Sequence, residues 1–149
     1  MANQWAELHD SEIAVLWYEQ NDDAILIFSS LYIHESEGRA GVDKGIGWFQ
    51  RAELVIENAT EVEFPIENWS WSIIGGETEI DGVIYRNGIA LPLECKKSFR
   101  IYLEVLEDGG NGDFKKREIK GSSAILTLLG KKGKIEEFSA ISQNENNVP

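Results

Sequence analysis

The feature that most constrains this chain is a period of two. Phe99, Ile101, Leu103 and Val105 alternate with Arg100, Tyr102 and Glu104. That is the pattern of a strand with one face on a core and the other in solvent. Ile13, Val15 and Trp17 alternate in the same way with Glu12, Ala14, Leu16 and Tyr18. Residues Ala24 to Ile33 (AILIFSSLYI) are apolar on both faces, as in a central strand covered on both sides. Trp48 to Asn58 reads as a strand with Ala52, Leu54 and Ile56 on one face. Thr60, Val62 and Phe64 continue it until Pro65, which cannot donate to a ladder. Trp69, Trp71 and Ile73 share a face of another short strand. No 11-residue window holds sustained helical apolar spacing; the best helix candidate is a turn and a half at Asn3–Leu8.

Turn signals punctuate these runs. Asn21-Asp22-Asp23 separates the first two strands into a hairpin. Gly38 to Gly47 (GRAGVDKGIG) reads as a long hairpin loop, and Gly75-Gly76 as a turn. Asn87-Gly88, between Ile80–Tyr85 and Ile89–Cys95, is the strongest short hairpin signal, because both residues accept positive φ. Phe114 to Lys120 and Ala124 to Leu129 supply two more strands, and after Gly130-Lys-Lys-Gly133 the segment Ile135–Phe138 is expected to pair back. The expectation is an all-β, mainly antiparallel sandwich or partly open barrel of about eight to ten strands. Residues 1–138 form its single domain, and 139–149 a flexible polar tail. The expected core holds Ile13, Val15, Ile25, Ile27, Leu54, Ile56, Phe99, Ile101, Leu103, Leu126 and Leu128.

Composition narrows function by exclusion. The 149 residues are 42% hydrophobic with five Trp, four Tyr and six Phe, which excludes a disordered acidic chain. The net charge of −12 argues against nucleic-acid or anionic-membrane partners, which need a basic face. No apolar run approaches a membrane span. Met1-Ala-Asn-Gln-Trp5 carries neither a basic nor an apolar leader, so a cytoplasmic location is expected, and the sequons at Asn58 and Asn68 are then incidental. The lone Cys95 reads as a small strand residue. Charge is unevenly distributed: residues 1–94 hold 18 acids and 4 bases, residues 95–149 hold 8 and 10. Residues 1–38 hold eight acids and no Lys or Arg. In an antiparallel fold, sequence neighbours tend to be sheet neighbours, so this asymmetry can become one acidic face.

Few constellations carry chemistry. His9-Asp10-Ser11-Glu12 is the densest polar cluster, and the only other histidine, His34, precedes Glu35. A hairpin closed near residues 21–23 would bring His9 or Asp10 towards His34 or Glu35, a set suited to zinc or iron. On a regular strand, however, His9 and Asp10 point to opposite faces; Asp10 or Ser11 then caps a turn. No Gly-x-Ser-x-Gly elbow, Walker motif or dinucleotide fingerprint occurs. The loop at Gly38–Gly47 has two basic residues and could cradle an anion, but it joins two strands. Trp and Tyr beside carboxylates suit a sugar-binding surface. Trp48, after the Gly-rich loop, is the tryptophan expected to be exposed.

Trp5-Ala-Glu-Leu-His-Asp-Ser-Glu-Ile13, two following strands and Arg51-Ala-Glu-Leu-Val-Ile-Glu-Asn-Ala59 resemble a broad group of bacterial proteins. These open with a Leu/Phe-His-Asp-Ala/Ser-x-Ile/Leu element before two strands. Some are immunity proteins of polymorphic-toxin systems; many are uncharacterised. The resemblance covers residues 5–64. It implies a β-rich single domain without established enzyme activity, and it transfers no functional residue. The sequence-level expectation is a protein-binding domain without catalysis or cofactor, immunity-like, whose acidic face meets a basic protein. The candidate surface is His9, Asp10, Glu12, Glu35, Glu37 and Trp48. The alternatives are a small-ligand or carbohydrate-binding β-domain, and a metal-dependent hydrolase using His9, Asp10, His34 and Glu35.

Overall fold

The computed structural model describes residues 2–18, 22–60, 71–107 and 114–139. Every element within them is a strand: β1 (Asn3–Tyr18), β2 (Ala24–Ser36), β3 (Gly45–Glu57), β4 (Trp71–Ile80), β5 (Val83–Arg86), β6 (Gly88–Leu91), β7 (Glu94–Cys95), β8 (Phe99–Glu107), β9 (Phe114–Gly121), β10 (Ser123–Leu129) and β11 (Glu136–Phe138). They form one antiparallel sheet in the order β7-β10-β3-β2-β1-β4-β8-β9, with β6 added to β1, β5 to β4 and β11 to β3. No described helix is long and apolar enough to cross a membrane.

The sheet folds back on itself through its last long strands. Only Ser122 separates β9 from β10, yet β9 pairs with β8 and β10 with β3. Ser122 N–H donates to Glu57 O (2.9 Å) and Thr60 N–H to Lys120 O (2.7 Å), which ties the two halves at this corner. The ladders do not close a barrel among the described residues. One core lies between the halves. It takes Leu26, Phe28, Leu54 and Ile56 from β2 and β3, and Ile73, Ile101, Leu103, Val105 and Ile119 from β4, β8 and β9. Burying each such side chain contributes about 1.5–3 kcal/mol.

The alternation along β8 is as the sequence implies, and Leu126 and Leu128 pack against the core's margin. In β2 the core residues are Ala24, Leu26 and Phe28; Ile25 and Ile27 are buried on the opposite face. The side chain of Val15, residues 61–70, and 140–149 of the polar tail lie outside the described residues.

Four local expectations are corrected. Asn3–Leu8 is strand, because Ala6 and Leu8 alternate into the core and β2 and β6 pair on either side. Gly75-Gly76 lies inside β4 at a register shift, where a Cβ on Gly76 would strike the Tyr102 carbonyl of β8. The two-residue hairpin turn is Asp81-Gly82 (φ 49° and 85°), with Ile80 opposite Val83. Asn87 (φ 57°) instead hands the chain from β5, which pairs with β4, to β6, which pairs with β1. Its N–H donates to Gly76 O (2.8 Å), and its carbonyl accepts Leu8 N–H (3.0 Å). Finally, β11 pairs with Gly45–Gly47 of β3, not with β10. Gly133 N–H donates to Phe49 O (2.7 Å) and steers the chain to that edge.

Candidate functional site

Five strands align one row on the face of the sheet away from the core: Ala90 of β6, Trp5 of β1, His34 of β2, Gly47 of β3 and Glu136 of β11. The next row sets Gly88 beside Glu7 and Tyr32 beside Phe49. Strand alternation produces this, since Ala6, Leu8, Ile33 and Trp48 point the other way into the core. The glycines make room for rings. A Cβ on Gly88 would collide with the Trp5 indole, and one on Gly47 with the Tyr32 ring.

His34 is the enclosed polar group of this face. Tyr32 meets it edge-on at 4.8 Å and Phe138 at 4.9 Å. Gly41, at φ 82°, brings the 37–44 loop over His34 and Trp5. His34 is left 4% exposed, and neither ring nitrogen makes a hydrogen bond. Its Nε2 stands 3.6 Å from Glu7 Oε1. Burial, then the carboxylates of Glu136 and Glu7, push the Tyr32 phenol above its ordinary pKa.

Beside this row, β1 is bulged. The ladder with β2 shifts between Glu7 and Glu12, and Asp10 adopts φ 68°. Ser11, fully buried, stitches the bulge. Its hydroxyl donates to Glu7 O (2.7 Å) and accepts Tyr32 N–H (3.0 Å). Asn87 Oδ1 accepts His9 N–H (2.9 Å). The bulge removes the strict alternation that would separate His9 from Asp10, and brings His9 Nδ1 to 3.3 Å from Asp10 Oδ2. One ligand atom each from Glu7, His9 and Asp10 lie within 4.8 Å of one another.

The predicted residues therefore separate into groups. His9 and Asp10 meet each other but do not pair with His34 or Glu35: Trp5 opposes His34, Gln4 opposes Glu35, and Glu7 opposes Tyr32. The bulge consumes residues of β1 and displaces the register that an uninterrupted hairpin would have. Glu35 accepts a hydrogen bond from Gln4 Nε2 (3.0 Å). Glu12 lies beside the Ser29 hydroxyl (3.5 Å). Glu37 is exposed at the start of the 37–44 loop. Trp48 is corrected: it is 0% exposed, because β3 turns it inward opposite Ile33 with its indole N–H on Gln50 Oε1 (2.9 Å). Trp71 is buried as well, so neither offers a stacking platform for a sugar. The Gly-rich loop is no anion cradle at Arg39, whose N–H already donates to the Asp43 carboxylate (2.6 Å). Cys95 is half-buried in β7 and lines a cleft of ≈ 580 Å³ with Tyr85, Pro92, Leu93, Lys96 and Lys97.

Sequence reasoning missed Glu7, Tyr32 and Glu136. Glu7 had a signal: it stands two residues before His9, hence on the same strand face. Glu136 had none, since β11 joins β3 from the far end of the chain. No family model matches the chain, and no curated protein or solved structure matches it.

Proposed function

We propose that this chain is a non-enzymatic protein-binding module whose β1–β2 face docks a basic protein, in its specific form an immunity-like inhibitor in a bacterial cytoplasm. One observation carries the reading. β1 and β2 pair from Asn3–Ser36 to Tyr18–Ala24, and the two strands together contain no Lys or Arg. Glu7, Asp10 and Glu12 lie along this pair, Glu35 stands near its end on the reverse face beside Gln4, and β11 adds Glu136 beyond β3 on the Glu7 face. Elsewhere the sheet mixes its signs: Arg100 of β8 bonds Glu118 (2.7 Å) and Glu77 (3.1 Å), and Lys120 lies 3.8 Å from Glu118. A patch of one sign steers an oppositely charged partner and raises its association rate, with less effect on equilibrium affinity.

The test is stopped-flow association with the basic product of the adjacent gene across a salt series. Steering predicts a rate that falls at least about tenfold from low to high ionic strength. The variant Glu12→Gln/Glu35→Gln/Glu37→Gln lowers the low-salt rate and flattens its salt dependence. No complex, or a rate indifferent to salt, refutes the reading.

A further inference from the structure

The bulged segment of β1 has the chemistry of a metal centre. We propose that Glu7, His9 and Asp10 bind one divalent transition-metal ion of the zinc class, and that His34 positions Glu7. The site shares Glu7 and Asp10 with the proposed docking face, but the inference does not rest on that reading, since zinc binding is measured with no partner present.

Three observations converge. The first is the donor set. One imidazole with two carboxylates suits zinc and its neighbours; calcium and magnesium prefer oxygen alone. Three protein ligands leave a fourth position for water or a partner's side chain. The side chains of His9 and Asp10 are 52% and 70% exposed, so that position faces solvent.

The second is spacing. Metal–ligand bonds of zinc sites place neighbouring tetrahedral ligands about 3.3 Å apart. His9 Nδ1 and Asp10 Oδ2 are 3.3 Å apart. One ligand atom of the Glu7 carboxylate lies with them inside 4.8 Å. Asp10 takes part because the bulge turns it back beside His9, and the hydrogen bond from His9 N–H to Asn87 Oδ1 fixes the backbone between the ligands.

The third is His34. A buried imidazole with both nitrogens lacking a hydrogen bond is a costly arrangement that demands a reason. Nε2 is aimed at Glu7 Oε1 from 3.6 Å. Once one oxygen of Glu7 is on the metal, the other is fixed where a small closure lets it accept a hydrogen bond from His34 Nε2–H. That is the usual outer support of a ligating carboxylate.

The experiment uses the full chain stripped with a chelator. Zinc chloride is titrated calorimetrically, cobalt chloride is followed by its visible absorption, and magnesium chloride is the control. The expected result is one zinc per chain, a cobalt spectrum of low coordination number, and no comparable magnesium binding. His9→Ala and Asp10→Asn alter exposed side chains, so these variants stay folded; each weakens zinc by at least about tenfold. His34→Gln, which leaves all three ligands in place, weakens it by about 10- to 100-fold. Absence of zinc binding overturns the proposal. So does zinc binding that His9→Ala and Asp10→Asn leave unchanged, or magnesium binding as tightly as zinc. Should His34→Gln leave the affinity of the folded variant intact, the positioning role of His34 is overturned.

Discussion

Gly121→Ala tests how the two ends of the sheet are joined. Gly121 is the last residue of β9, and it is not among the residues at positive φ. Its backbone therefore accepts alanine, which by itself would stabilise by about 0.4–1 kcal/mol through the unfolded chain. The surroundings oppose this. A Cβ here would lie 2.6 Å from Glu57 O and collide with the Ile56 side chain, both on β3. That carbonyl accepts Ser122 N–H at 2.9 Å and the Ser122 hydroxyl at 3.4 Å. Restoring an ordinary contact moves it by about 0.5–1 Å and stretches the first bond beyond useful length. Overpacking costs about 1–3 kcal/mol and the lost bond about 1. Offset by the entropy gain, the net loss is about 2 kcal/mol. For a chain of this size that lowers Tm by about 7 °C. Gly130→Ala is the control: φ is 69° with nothing within 4 Å, so only the left-handed backbone cost of about 1 kcal/mol remains. Urea unfolding followed by tryptophan fluorescence reads both, with buried Trp48 and Trp71 as reporters. The slope m should not change. A Gly121→Ala midpoint at or above wild type refutes contact between β9 and β3 at this corner.

Two other outcomes follow from the site. Ser11→Ala strips the bulge of a hydroxyl that both donates to Glu7 O and accepts Tyr32 N–H, so stability falls by about 2–3 kcal/mol in the same urea assay; a loss below about 0.5 kcal/mol refutes its bridging role. Burial with Glu136 and Glu7 makes the folded state hold the Tyr32 proton more tightly than the unfolded chain does, so this contribution to stability is complete below pH 10 and is lost as pH rises through the raised pKa. In an alkaline absorbance titration Glu136→Gln shifts one tyrosine's ionisation to lower pH, and an unchanged curve refutes the contact.

The strands were legible because a two-residue period is written locally. Phe99 to Val105 alternate in the sequence and alternate in the fold. Pairing partners were less legible. Asp81-Gly82 and Asn87-Gly88 carry the same turn signal, since both dipeptides tolerate positive φ. Only the first closes a hairpin. What decides between them is tertiary: Gly88 must lie under the Trp5 ring, and the Asn87 carbonyl must face Leu8 N–H of a strand some 80 residues earlier. No window around residue 87 contains that information. The exposure expected for Trp48 failed for a related reason. A glycine-rich loop before it suggests an exposed entry, but β3 already begins at Gly45, and by Trp48 the alternation has turned inward.

The candidate site shows why motif and register have to be read together. His9-Asp10-Ser11 is conspicuous as a cluster, and its pairing with His34 followed from a continuous hairpin. The same cluster contains the residue that breaks that hairpin. Ser11 can replace a ladder hydrogen bond with its side chain, and Asp10 belongs to the residue types that enter positive φ most readily. Both are bulge-forming properties, and a bulge shifts every pair beyond it. The shift takes His34 away from His9 and leaves it facing Glu7, two residues upstream on the same side of β1. Among the described residues, Glu7 thereby becomes the carboxylate that reaches both the buried imidazole and the exposed His9–Asp10 pair. Removing the ligand that the bulge turns back, by Asp10→Ala, should therefore weaken zinc binding by at least about tenfold and leave His34 enclosed, because the loop and rings that bury it belong to β2, β3 and β11 and do not depend on the Asp10 side chain.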